Sequence, residues 1–234
     1  MNELSSTRPN ARLSLVAWLL PPCGLKTWLL RRLGNRIGDG VIIGPNLVIG
    51  CGAFDLADGS IISPFNVFRN LASVSLGDKA FIGRLNQFTA APAYQRFSHR
   101  AGVLVMKELS GVTNRHYFDC SGRIEMGVGS GVGGIRTIIQ SHEIDIVEDR
   151  TTVGTTVIDD HAMTATACLI LKNAHIPQYS IVAAGSVVTA KKPGSEMKQG
   201  LYAGAPARWR GDLPTCKWWS RTSHMTPAKE VLDL

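Results

Sequence analysis

Residues 158–188 read IDDHAMTATACLILKNAHIPQYSIVAAGSVV, and one position in every six is aliphatic or Thr: Ile158, Thr164, Ile170, Ile176, Val182 and Val188. That period belongs neither to an amphipathic helix nor to an alternating strand. Four positions after each, up to Val182, the residue is small: Ala162, Cys168, Ala174, Ser180 and Ser186. Outward from this stretch the same hexad recurs. It runs through Ile37, Ile43 and Ile49, then after a one-residue slip through Leu56, Ile62 and Phe68, and again through Leu76, Ile82, Phe88 and through Met126, Val132, Ile138. Ala53, Ser60, Ala80 and Ser130 hold the small slot in these earlier turns. A unit of six is one short strand plus one turn, and three such units close a triangular coil whose aliphatic corners stack on those of the next coil. The small residue fits the tight inner corner, and Gly38-Asp39-Gly40, Gly77-Asp78 and Asp159-Asp160 supply the turn chemistry. The expected fold is therefore all-β, a parallel β-helix over residues 37–190, preceded by an apolar, helical cap (1–36) and followed by a basic loop and tail (191–234).

Two segments lose the period. AAPAYQRFSHR at 90–100 and VEDRTTV at 147–153 are expected to leave the coil as loops near 90–102 and 147–153, and loops on one face of a solenoid commonly build its site. Composition agrees with a turn-rich stack: 24 Gly, 44% hydrophobic residues and only 18% charged residues exclude a disordered chain and a charged coiled coil. The formal charge of +7 would attract a polyanion, whether nucleic acid, anionic lipid or a phosphorylated cofactor. Five scattered cysteines without a C-x-x-C pair support neither a disulfide framework nor a zinc ribbon, and a reducing cytoplasm is the expected compartment. In the amino-terminal stretch, Leu13–Leu20 and Leu25–Leu30 are apolar but divided by Pro21-Pro22, so neither half reaches the ~20 residues of a membrane span. That segment is expected to cover the open end of the coil, with peripheral contact at the inner face of the membrane as the other reading of Trp18 and Trp28 beside basic residues.

The segment 176–210, IPQYSIVAAGSVVTAKKPGSEMKQGLYAGAPARWR, resembles the carboxy-terminal end of the hexapeptide-repeat acyltransferases, in which AGSVVT precedes a basic loop and then Y-x-G-x-P-A-[KR]. LKTWLLRRLGNRIGDGVIIGP at 25–45 is similar to the start of sugar O-acetyltransferases of bacterial polysaccharide biosynthesis in that superfamily. With NRHYFDCSG (114–122) and SHEID (141–145), the similarity covers about residues 25–211. The resemblance implies a left-handed coil, a homotrimer with the site between neighbouring copies, and transfer of an acetyl group from acetyl-coenzyme A to a hydroxyl of a sugar or polysaccharide precursor, free or lipid-linked. An N-acetyltransferase on an amino sugar or small amine, and a non-catalytic binding module, are the alternatives.

By context the general base is His142, which can take the acceptor proton in direct transfer because imidazole titrates near neutral pH. Its place four residues after Ile138, in a slot otherwise held by small residues, points the same way. The resemblance casts Asp119 as an acceptor ligand with His116 beside it. It implies coenzyme A contacts from Thr166, Ala183, Ala184, Lys191, Lys192, Arg208 and Arg210, which accounts for the basic balance without nucleic acid. Two departures stand out: Ala190 occupies a position where lysine commonly follows VVT, and Thr164-Ala165-Thr166 replaces the common I-G-A. No metal is expected. The zinc enzyme sharing this coil, the γ-class carbonic anhydrase, wants two histidines five residues apart, and none of the six here is so paired.

Overall fold

The computed structural model describes residues 11–190 and 197–224. Three sheets of seven, nine and seven strands, parallel but for the last strand of the nine, form the sides of a prism, sheets A, B and C, and the chain visits them in turn. This is a left-handed parallel β-helix. Each side carries one inward column set by strand register. Ile37, Leu56, Leu76, Met106, Met126, Ile158 and Ile176 stack on sheet A. Ile43, Ile62, Ile82, Val112, Val132, Thr164, Val182 and Tyr202 stack on sheet B. Sheet C stacks Val48, Phe68, Phe88, Phe118, Ile139, Ile170 and Val188. Its lower half is aromatic: Phe68 and Phe88 lie face to face at 4.8 Å and Phe118 follows at 4.7 Å.

Two corners differ from the hexad reading. Val48, not Ile49, is inward, and Ile139, not Ile138; the residues named from the spacing are 44% exposed in both cases. The cause is turn length between sheets B and C. In the first coil the turn Gly44-Pro45-Asn46 is one residue short, with no left-handed residue. In the coil of Val132 the turn is one residue long and bends through Gly134 (φ 68°) and Arg136 (φ 62°). Ala53 accordingly falls outside, and Cys51 is buried.

The B–C edge is held by side chains rather than by turn geometry alone. Asn46 Oδ1 accepts the Asn66 N–H at 2.8 Å, Asn66 Oδ1 that of Asn86 at 2.9 Å, and Asn86 Oδ1 that of His116 at 2.9 Å. His116 Nδ1 then accepts from Thr137 N at 3.1 Å and Thr137 Oγ1 from Cys168 N at 3.3 Å. Each link satisfies a buried backbone donor that the turn would otherwise orphan.

Helices α1 (Ala11–Leu19) and α2 (Gly24–Arg32) cover the first coil, with Trp18 against Phe54 at 4.5 Å and Leu30 buried. Lys26 is buried beneath them and donates to the carbonyls of Trp18, Leu20 and Gly44 at 2.9, 2.8 and 2.6 Å. Burial brings its pKa down from 10.5 to about 8. At the other end, the antiparallel pair Leu201–Ala203 and Arg208–Gly211 closes the last coil. The chain then runs back down sheet B: Trp219 lies 5.8 Å from Tyr179, Tyr179 stacks on His161 at 5.1 Å, and His224 Nε2 donates to the Lys79 carbonyl at 2.7 Å.

Candidate functional site

Both departures from the coil leave the same C–A edge. The first follows the strand Gln87–Thr89, makes a short 3-10 helix at Pro92–Arg96 and rejoins at Val103–Met106. It is tied down by Ala91 N–H to Ser121 Oγ at 3.1 Å and by Gln95 Nε2 to the Asn70 carbonyl at 2.6 Å. The second is an antiparallel hairpin, His142–Asp145 against Arg150–Val153. It begins at His142, earlier than the loss of period suggests. Lys172, nearly buried, fastens it through Glu143 Oε1 at 2.5 Å and Thr152 Oγ1.

Between these excursions sit His142 and Asp119. Asp119 is buried on the strand Tyr117–Asp119, in register with Thr89 below and Gln140 above. Its Oδ1 accepts the Ser121 N–H at 3.1 Å, and its Oδ2 accepts the Ser141 N–H at 3.1 Å and lies 2.5 Å from His142 Nδ1. A carboxylate can only accept, so the neutral ring carries its proton on Nδ1 and keeps a lone pair on Nε2. Nε2 has no hydrogen-bond partner among the described residues, and the side chain is 32% exposed. Tyr94 packs against the ring from the first excursion, centroids 5.6 Å apart. Ser141, not His142, takes the inward small position: it is fully buried, its Oγ donates to the Asp119 carbonyl at 2.5 Å and accepts the Gly122 N–H at 2.7 Å. His142 is thus free to turn outward, and the inner-slot argument from Ile138 does not hold.

Cys120 is next in chain to Asp119 but points into the core, and burial together with the Asp119 charge raises its thiol pKa well above the ordinary range. It is no nucleophile. His116 does not join the cluster. It lies on the B–C edge, buried, with Nδ1 accepting from Thr137 and Nε2 donating to Thr113 Oγ1 at 2.9 Å; burial lowers its pKa from 6.5 to about 4, so it is neutral. The asparagine rungs beneath it recur every 20 residues, a signal in the sequence that the hexad reading does not use.

Thr166, Ala183 and Ala184 come together on the B–C edge near the top of the prism, where Gly185 N–H donates to the Thr166 carbonyl at 2.9 Å and Ala183 N–H to Tyr202 O at 2.8 Å. Arg208 and Arg210 are exposed on the closing strand beside them, and Arg210 Nε reaches the Ala203 carbonyl at 3.3 Å. Lys191 and Lys192 lie outside the described residues. This group and His142 occupy opposite ends of sheet C, about five residues or roughly 16 Å of extended strand apart. Among the described residues no group of His, Cys, Asp and Glu could hold a metal ion, and no helix is long and apolar enough to cross a membrane.

No protein-family model matches this sequence, and no curated protein does. Solved structures do. A mutant of AntD, an N-acyltransferase from Bacillus cereus in complex with dTDP-4-amino-4,6-dideoxyglucose and coenzyme A, is 14% identical over 83% of this chain and 92% of its own, with a TM-score of 0.55. Arabidopsis UDP-N-acetylglucosamine acyltransferase is 14% identical over 76% of this chain and 70% of its own, with a TM-score of 0.34. A mutant of GDP-perosamine N-acetyl transferase from Caulobacter crescentus, in complex with coenzyme A and GDP-perosamine, is 15% identical over 80% of this chain and 65% of its own, with a TM-score of 0.25. The first likeness shows a shared fold; the other two scores carry no argument.

Proposed function

We propose that this protein is an acyl-coenzyme A-dependent acyltransferase acting on a sugar, with His142 as general base. The observation that carries the reading is the His142–Asp119 pair: a histidine whose Nδ1 is fixed by a buried carboxylate and whose Nε2 is open between two excursions. Nε2 takes a proton from the acceptor as its heteroatom attacks the thioester carbonyl. The tetrahedral intermediate collapses to the new acyl bond and the coenzyme A thiolate, which recovers the proton from the imidazolium. Asp119 is then a positioning residue: it sets the tautomer and balances the imidazolium charge, instead of binding the acceptor. No acyl-enzyme is required, in keeping with the buried Cys120.

For the donor the upper B–C edge is the candidate: Thr166, Ala183 and Ala184 leave a corner with no bulky side chain, and the exposed Arg208 and Arg210 are candidate cations for its phosphates, as Lys191 and Lys192 are by sequence. Donor corner and base stand at opposite ends of sheet C, which supports a homotrimer in which one copy's B–C edge meets another's C–A edge. Light scattering on the intact protein checks this; a monomer would count against the site.

As acceptor the resemblance in residues 25–45 supports a sugar hydroxyl, the reading expected from sequence. An amino group is better supported, since the structural neighbour AntD is an N-acyltransferase in complex with an amino-sugar nucleotide. The geometry at Nε2 serves either nucleophile. Thiol release from acetyl-coenzyme A, measured across paired amino and hydroxy sugar nucleotides and free saccharides with mass spectrometry of products, separates them. No release with any acceptor, from protein that binds no coenzyme A by calorimetry, would overturn the proposal.

A further inference from the structure

The two capping helices bury one side against the first coil and turn the other outward, and that outer side is apolar. On α1, Leu13, Val16 and Leu19 follow at three-residue intervals, 46, 57 and 48% exposed. On α2, Leu25 and Trp28 are 59 and 54% exposed, and Arg32, on the same stripe as both, holds its guanidinium 5.6 Å from the Trp28 ring. Capping accounts for Ala17, Trp18 and Leu30, which are buried, but for none of these outward residues.

Charge decides what fits there. Between Glu3 and Asp39 the chain carries Arg8, Arg12, Lys26, Arg31, Arg32 and Arg36 and no acidic residue. Lys26 serves the interior, Arg31 donates to the Ile37 carbonyl and Arg36 pairs with Asp55, while Arg12, one turn before Val16, and Arg32, one turn after Trp28, are exposed beside the apolar face. A self-paired dimer through this face would set these cations against their own copies. Each helix has nine residues, roughly 14 Å, against the ~30 Å of a bilayer core, so the pair can lie in a membrane surface but not cross it. A tryptophan with a cation beside it, on an apolar stripe, suits the headgroup level.

We propose that the outer face of α1 and α2 docks on a bilayer containing anionic phospholipid, with Leu13, Val16, Leu19, Leu25 and Trp28 entering the interface and Arg32 at the lipid phosphates. The inference does not depend on the acyltransferase reading. The test is co-sedimentation of the full chain with vesicles of phosphatidylcholine alone and of phosphatidylcholine with phosphatidylglycerol, across a salt series. Expected are binding to the anionic vesicles that weakens with salt, and a fall in partitioning of about tenfold or more in the double variant Val16→Glu, Trp28→Glu. Both positions are exposed, so the variant should melt with the wild type by circular dichroism; Arg32→Glu, which disturbs no core contact, checks the charge contribution separately. Absence of binding to anionic vesicles, binding that both variants retain, or an effect of the variants on self-association alone would each overturn the proposal.

Discussion

Replacing Asp119 by asparagine keeps the side chain's shape but changes what it offers His142. The carboxylate oxygen 2.5 Å from Nδ1 becomes an amide, which either turns its NH2 toward the ring and favours the wrong tautomer or loses the charge that balances the imidazolium. With charge centres about 4 Å apart and an effective dielectric near 20, the attraction is about 4 kcal/mol. His142 is one-third exposed, and screening lowers this to between about 2 and 4 kcal/mol. At 1.36 kcal/mol per decade, kcat for thiol release from acetyl-coenzyme A should fall about 30- to 900-fold. KM for both substrates should stay within a few-fold, because the carboxylate oxygens already accept from Ser121 N, Ser141 N and the ring. A fall of less than about threefold would refute the positioning role. So would unchanged kcat with a raised acceptor KM, which would return Asp119 to the acceptor.

Three further outcomes concern the frame. His116→Asn puts on the fourth rung the residue that already holds the three below it. In the wild type the folded pKa of about 4 lies below the unfolded 6.5, so the unfolded chain takes up the extra proton and stability falls as pH drops through that window, on the order of 3 kcal/mol in all. Denaturant melts of the variant should lose this acid-sensitive component and leave kcat unchanged; a kcat loss would place His116 at the acceptor after all. Lys26, held at about 8 against 10.5 unfolded, makes wild-type stability rise with pH between those values, because only the unfolded chain still binds the proton. Lys26→Met should abolish that rise and cost about 1–3 kcal/mol at neutral pH, with the Leu20 carbonyl losing the Lys26 donor; an unchanged pH slope would show that Lys26 is not its source. Phe88→Ala opens the aromatic column between Phe68 and Phe118 and should cost about 3–5 kcal/mol, read as a melting temperature roughly 10 °C lower with kcat unchanged below the melt. A shift of less than about 3 °C would mean that the column relaxes into the gap.

The columns of the prism were readable because a six-residue period leaves one inward position per strand. The reading slipped by one where adjacent aliphatics offered equal candidates, Val48 beside Ile49 and Ile138 beside Ile139, and only turn length decided between them. His142 was identifiable from its segment, but its outward aim depends on Ser141 filling the core beside it. The contact between Asp119 and His142 was not legible, since it depends on the register that sets Asp119 beside Gln140 one coil on, which the slips in the hexad blur. The asparagine rungs were visible as a repeat of 20 residues, one full coil, yet their function depends on links between coils that no local turn rule describes.

That chain of links gives the prism one edge that resists insertion and another that accepts it. On the B–C edge, from Asn46 to Cys168, each polar side chain meets a backbone donor of the coil directly above, and the turn tolerates one residue more or fewer without losing the links, but an excursion there would carry the side chain away from its donor and break two links at once. On the C–A edge the side-chain links, at Ser121, Ser141 and Asn173, form no unbroken series among the described residues, and both excursions emerge from it. Lineages elaborating this scaffold, or designers grafting new loops onto it, would therefore find their freedom along the C–A edge, where loops can be lengthened while the B–C seam keeps the coils in step.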